Sequence, residues 1–174
     1  IRCLVMVPFV GPMANFCKRI IRDEPELDAR LKPKHLDTSA LDTPALALSN
    51  AARETLRMGD AMEQMLVDFK KVMHGEPRQE KELRKTADDI NVLYTAIKLY
   101  LARMPKEELA EEESRRWAEI IEMSLNLEQA SDIVERMCSE IADKSLSVRR
   151  AFSLEGLNEL DALLEQLLSN LQLG

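Results

Sequence analysis

Acidic side chains at helical spacing are the groups in this sequence that could do chemistry. Asp60 and Glu63 stand at i,i+3, Glu128 and Asp132 stand at i,i+4, and Asp88 and Asp89 lie together between the apolar positions Ala87 and Ile90. Like charges at helical spacing repel by about a few tenths of a kcal/mol on an isolated helix. Gathered in a helical bundle they require a cation, an arginine or a shared proton. Hard oxygen donors suit Mg, Ca, Mn or iron, so a divalent metal ion is the cofactor these residues could hold, with Glu128, Asp132, Asp88 and Asp89 as its candidate ligands. The competing reading is a solvated face with ordinary ion pairs. Arg136 lies four residues after Asp132, and Lys85 four residues before Asp89.

Other chemistries lack their parts. There is no glycine-rich phosphate loop, and no Ser/His/Asp or Cys/His set finds partners. His35 and His74 are the only histidines, and a metal-dependent enzyme in a bundle core would call for paired E-x-x-H motifs that are absent. The expectation is therefore a protein that is not an enzyme. Cys3, Cys17 and Cys138 form no C-x-x-C spacing, which argues against a disulfide framework or a zinc site and for a reducing compartment. A net charge of −7 argues against nucleic acid as a partner, because Lys70-Lys71, Arg115-Arg116 and Arg149-Arg150 are each diluted by neighbouring acids.

The elements that must position these groups are helices. The 174 residues are 45% hydrophobic and 32% charged, with 4% aromatic residues and 5 glycines, a balance that favours a soluble helical bundle over strands. Asp42-Thr43-Pro44 forms a helix start. From there a seven-residue repeat runs through Leu48, Thr55, Met62 and Phe69, flanked by Ala51, Met58, Met65 and Val72, as far as Gly75 and Pro77. A second helix is expected from about residue 78 to 104, with Leu83, Ile90, Ile97 and Met104 on its stripe. The short link forces an antiparallel hairpin. A third is expected from about 107 to 145, with an acidic start and a stripe of Trp117, Ile120, Ile121, Leu127, Val134, Cys138 and Ile141. A leucine-rich amphipathic stretch follows over 154–173. The fold expected is all-α, a long antiparallel three-helix bundle. The methionines on the stripes read as core filler, and Trp117 as a core anchor.

The first residues read differently. Residues 1–17 carry one charge, Arg2, and are otherwise rich in Leu, Val, Met, Phe, Pro and Gly. They end in Lys18-Arg19-Ile20-Ile21-Arg22, a basic flank of the kind found on the cytoplasmic side of a membrane helix. Residues 1–22 are thus expected to be the tail of a last transmembrane helix and its flank, and 23–43 a connector. The alternative is an N-terminal arm packed on the bundle.

Three runs resemble a known family. Leu41-Asp42-Thr43-Pro44-Ala45-Leu46-Ala47-Leu48, with Arg53-Glu54 and Arg57-Met58-Gly59-Asp60, resembles the opening of a PhoU-like domain. Asp88-Asp89-Ile90-Asn91-Val92-Leu93-Tyr94 resembles its second-helix signature, and Asn126-Leu127-Glu128-Gln129-Ala130-Ser131-Asp132 its third. With Val5-Met6-Val7-Pro8-Phe9 upstream, the order is similar to the C-terminal part of a bacterial Na/phosphate cotransporter. That resemblance implies a PhoU-like three-helix repeat at 44–145, and a linker with the first helix of a second, truncated repeat at 146–174. It implies a regulatory or interaction domain on the cytoplasmic side of the inner membrane. The transporter's own membrane domain would be its partner, with inorganic phosphate and sodium as the full-length protein's substrates. Self-association or a phosphate-signalling partner, a free-standing PhoU-type adaptor and a carboxylate-bundle metal-binding protein are the alternatives. Members of the family are similar in carrying E/D-x-x-x-D metal motifs. Glu128 and Asp132 keep that pattern, whereas Lys85 stands where the second helix would carry an acid, which implies a partial site at most.

Overall fold

The computed structural model describes residues 31–76, 78–105, 109–147 and 152–173, within which there are four α-helices and no strand. They are α1 (Pro44–Met73), α2 (Arg78–Ala102), α3 (Glu111–Ser147) and α4 (Leu154–Leu173), preceded by a 3-10 turn at Thr38–Ala40. The expected membrane-helix tail and flank at 1–22, the start of the connector, and Cys3 and Cys17 lie outside the described residues. Among the described residues, no helix is long and apolar enough to cross a membrane.

Local signals set the helix ends. Thr43 is the extended N-cap of α1 and Pro44 follows it, where the missing N–H costs nothing. Gly75 ends the hairpin turn at φ 91°, a left-handed backbone that glycine takes without strain. The third helix starts later than the acidic run suggests, at Glu111 rather than near residue 107. Ala110 is its cap: the Ala110 N–H donates to Glu113 Oε2 at 3.0 Å, so the carboxylate three residues inside reaches back to the cap. Ser153 caps α4 by accepting from the Gly156 N–H at 3.1 Å.

The apolar stripes meet in one core. Leu48, Met58, Met65, Leu83, Ile90, Leu93, Ile97 and Leu101 are fully buried there, with Leu127, Val134 and Cys138 from α3. Helix α1 packs on α2 and α3, and α2 packs on α3, which closes the three-helix bundle. The stripe methionines Met58, Met62, Met65 and Met73 are core filler, as their spacing predicts. Trp117 is half-buried against the core and donates its indole N–H to the Leu101 carbonyl at 3.2 Å.

Helix α4 lies against α1 and runs antiparallel to it, with Asp161 beside His74 and Gln172 beside Glu63. Leu164 is its buried residue, and Leu157, Leu160, Leu168 and Leu171 pack beside it. At the α1 end, His74 Nε2 lies 2.9 Å from Asp161 Oδ2, and Lys70 Nζ lies 3.0 Å from Glu165 Oε1.

The described part of the connector is docked. Leu31, Leu36 and Leu41 pack against the core cluster, Ala40 is buried, and Asp37 caps the 3-10 turn through the Ser39 N–H at 2.9 Å. We call residues 31–41 the strap.

Candidate functional site

The acids singled out by spacing do not converge on one point. Asp88 is exposed, on the side of α2 that faces α3, where its charge acts on Glu135. Asp89, one residue on, is buried and accepts a hydrogen bond from the Leu31 N–H at 3.3 Å. Lys85, the expected neutraliser of Asp89, is exposed and pairs with Glu82 at 2.9 Å. A hundred-degree step between neighbouring helix residues sends Asp88 and Asp89 to different surroundings. Asp60 is exposed, while Glu63 accepts from Gln172 of α4, so that doublet is divided too.

Glu128 and Asp132 remain together on α3. Burial and the Asp132 charge both raise the Glu128 pKa, and Lys98 on α2 lowers it in part. Lys98 also rests over the Tyr94 ring, 4.8 Å from its centre. One turn further, Glu135 is pushed up first by burial, opposed by Arg84 and reinforced by Asp88 and Asp132. Arg84 ties this face to α2: its Nη2 donates to Glu80 Oε1 at 2.9 Å and to Ser139 Oγ at 2.6 Å, and its Nη1 lies 3.8 Å from Glu135. Asp132, Glu135, Arg136 and Ser139 line a shallow open depression of about 380 Å³.

This face is acidic and its cations are built in. Among the described residues, no group of three or more His, Cys, Asp or Glu side chains could hold a metal ion. A divalent ion near Glu128 and Asp132 would meet Lys98, and one near Glu135 would meet Arg84. The residues described do not fit a multinuclear centre.

The acids that do most for the structure were not singled out by doublet spacing. Glu54 is fully buried, and its Oε2 accepts the backbone N–H groups of Lys34 at 3.1 Å and His35 at 2.9 Å. Its other oxygen meets the Arg57 guanidinium, whose Nη1 also donates to the Lys32 carbonyl at 3.1 Å. On α2, buried Tyr100 donates its hydroxyl to the Asp37 carbonyl at 2.8 Å, and burial raises the phenol's pKa. Asp68, also buried, accepts from Gln64 at 3.2 Å and Lys71 at 2.8 Å. The signal in the sequence is placement: Glu54 stands three residues after Ala51 and four before Met58, and Asp68 holds the same relation to Met65 and Val72. A carboxylate on an apolar stripe must be hydrogen-bonded, because an unpaired buried charge is prohibitively costly.

A helical bundle with capped, heptad-striped helices and an acidic α2–α3 face defines a class, and the sequence comparison names it. The chain belongs to the PhoU domain family, whose profile matches residues 43–141, from the α1 cap through most of α3. Among curated proteins, the one called "Putative inorganic phosphate export protein YjbB" in Escherichia coli strain K12 is 86% identical over all 174 residues, which make up 32% of that protein. The protein of the same name in Salmonella typhimurium is 82% identical over the same span, again 32% of its length. The chain thus spans about a third of the curated relatives it matches. No solved structure matches it.

Proposed function

We propose that this chain is the regulatory or interaction domain of a longer membrane protein that moves inorganic phosphate, and that it has no catalytic activity of its own. The observation that carries this reading is the 86% identity, along the whole chain, to proteins named for inorganic phosphate export. Export is accordingly the direction proposed, with sodium as the coupling ion expected from the cotransporter resemblance. The apolar run before Lys18, Arg19 and Arg22 supports a place beside the inner membrane, with the bundle on the cytoplasmic side.

The physical requirement is differential contact. A domain biases a transporter only by binding two of its states unequally, and each tenfold in that ratio corresponds to about 1.4 kcal/mol. The acidic α2–α3 face, with Asp88, Asp132 and Arg84 around Glu135, is the contact surface proposed for the transporter's own membrane domain. At most one weakly held divalent ion, at Glu128 and Asp132, belongs to this reading.

The test is phosphate flux through the full-length protein in sealed vesicles, with and without residues 44–174, in sodium and in a sodium-free buffer. Flux that persists but changes in rate or in phosphate dependence supports a regulatory domain. Flux that is indifferent to the deletion refutes it, and flux that is indifferent to sodium removes the coupling ion. Calorimetric titration of Mg and Mn into the parent and Asp132→Asn proteins tests the ion.

A further inference from the structure

We propose that the strap is a coupling joint: residues 31–41, fastened to both helices of the hairpin, carry movement of the bundle to the chain before residue 31. This rests on the regulatory reading above and gives it a route.

The fastening has three properties that a plain linker lacks. It is two-sided. Glu54 and Arg57 hold Lys32, Lys34 and His35 to α1, while Asp89 and Tyr100 hold Leu31 and Asp37 to α2. A change in the position of α1 relative to α2 must therefore break one set of bonds or drag the strap. It is also made to the strap's main chain, through four N–H or C=O groups with Asp37 and through the Leu31 amide, so the path of the chain is held whatever its side chains do. Finally, it is dry on the bundle side. Glu54 and Asp89 are both buried carboxylates, Ala40 is buried, and Leu31, Leu36 and Leu41 pack against the core. Buried acceptors that lose their donors are expensive, so the joint does not slip by small steps. A solvated connector of the same length would behave as a flexible coil and pass on neither position nor torque.

Two alterations of the full-length protein test this. Glu54→Leu keeps the apolar stripe of α1 continuous and removes the acceptor for the Lys34 and His35 amides. A flexible glycine–serine insertion placed immediately before Leu31 leaves the bundle and the strap untouched and makes the connection slack. Hydrogen exchange at Leu31, Lys34 and His35 reports the strap, exchange in α1 and α2 reports the bundle, and phosphate flux reports the coupling. In Glu54→Leu the Lys34 and His35 amides should exchange about tenfold to a hundredfold faster, the loss expected for hydrogen bonds to a charged acceptor, with α2 protection kept. Both alterations should move flux toward that of the protein lacking residues 44–174. If the deletion changes flux and the slack insertion does not, the coupling joint is wrong and the regulatory reading survives. If the deletion itself changes nothing, both fall together.

Discussion

Leu164→Ala is the substitution that most directly probes how α4 is held. Helix α4 packs on α1, and Leu164 is its buried side chain, 6% exposed. The four leucines beside it are only partly covered. Truncating a buried leucine costs about 2–5 kcal/mol, and a peripheral site that can relax falls at the low end, about 2–3 kcal/mol. The ion pairs between the end of α1 and the middle of α4 add little, because Lys70, His74 and Glu165 are solvated and such pairs contribute about 0–1 kcal/mol. The loss should therefore appear as local release of α4. Its amides should exchange about 30- to 150-fold faster, at about 1.4 kcal/mol per tenfold, while α1 to α3 keep their protection. Hydrogen exchange read by mass spectrometry on peptides from 154–173 measures this. If α4 exchanges as slowly as α1 in the parent, or if Leu164→Ala lowers protection of all four helices together, then α4 is an integral part of the cooperative bundle and the argument is wrong.

Two further outcomes follow from the α3 face. Burial first, then Asp88 and Asp132, raise the Glu135 pKa above the ordinary 4.5, so the folded state binds its proton more tightly than the unfolded chain does. Its contribution to stability is present below the ordinary value and is lost as pH rises through the raised one. Glu135→Gln should remove that loss and leave the protein at neutral pH about 0.5 kcal/mol more stable at most, since the side chain is 36% exposed and well screened; melting curves at acidic and neutral pH decide it, and a clear destabilisation at neutral pH would mean that the Arg84 pair dominates. Cys138 is buried, which pushes its thiol to about 11, so about one thiol in a thousand is ionised near pH 8. Alkylation at Cys138, followed site by site in the mass spectrum, should be blocked in the native protein and become rapid in denaturant.

Much of the fold was legible because the helices carry their own punctuation. Pro44, Gly75, and the stripes through Leu48 to Phe69 and Leu83 to Ile97 state period, length and hairpin, and the structure follows them closely. The start of α3 was missed because an acidic run looks like a first turn, whereas the reach of Glu113 back to the Ala110 amide fixes the cap. The acids were harder to read. Spacing along one helix says which carboxylates share a face, but not what lies opposite. Asp89 was grouped with Asp88 by adjacency, and only the strap, distant in sequence, gives it a different environment. Glu54 passed as part of a family signature, although a charge on an apolar stripe was itself a sign of a specific partner. The docking of residues 31–41 could not be read from a segment with one proline, Pro33, and no periodicity, because bonds made to its main chain leave no pattern in the side chains of the strap.

The buried carboxylates also settle a degeneracy that a seven-residue repeat creates. Slide α1 along its neighbours by seven residues, and Leu48 arrives near the place of Thr55, Met58 near that of Met65, and the greasy seam still closes. Glu54 would then stand where Ala61 is buried now, a full two turns away from the Lys34 and His35 amides, and a bare charge would be sealed inside. Leucine and methionine tolerate many alignments; a carboxylate with assigned donors tolerates one. The same residue that fastens the strap is therefore a key cut to a single helical alignment, and a chain that folds with α1 out of step cannot close.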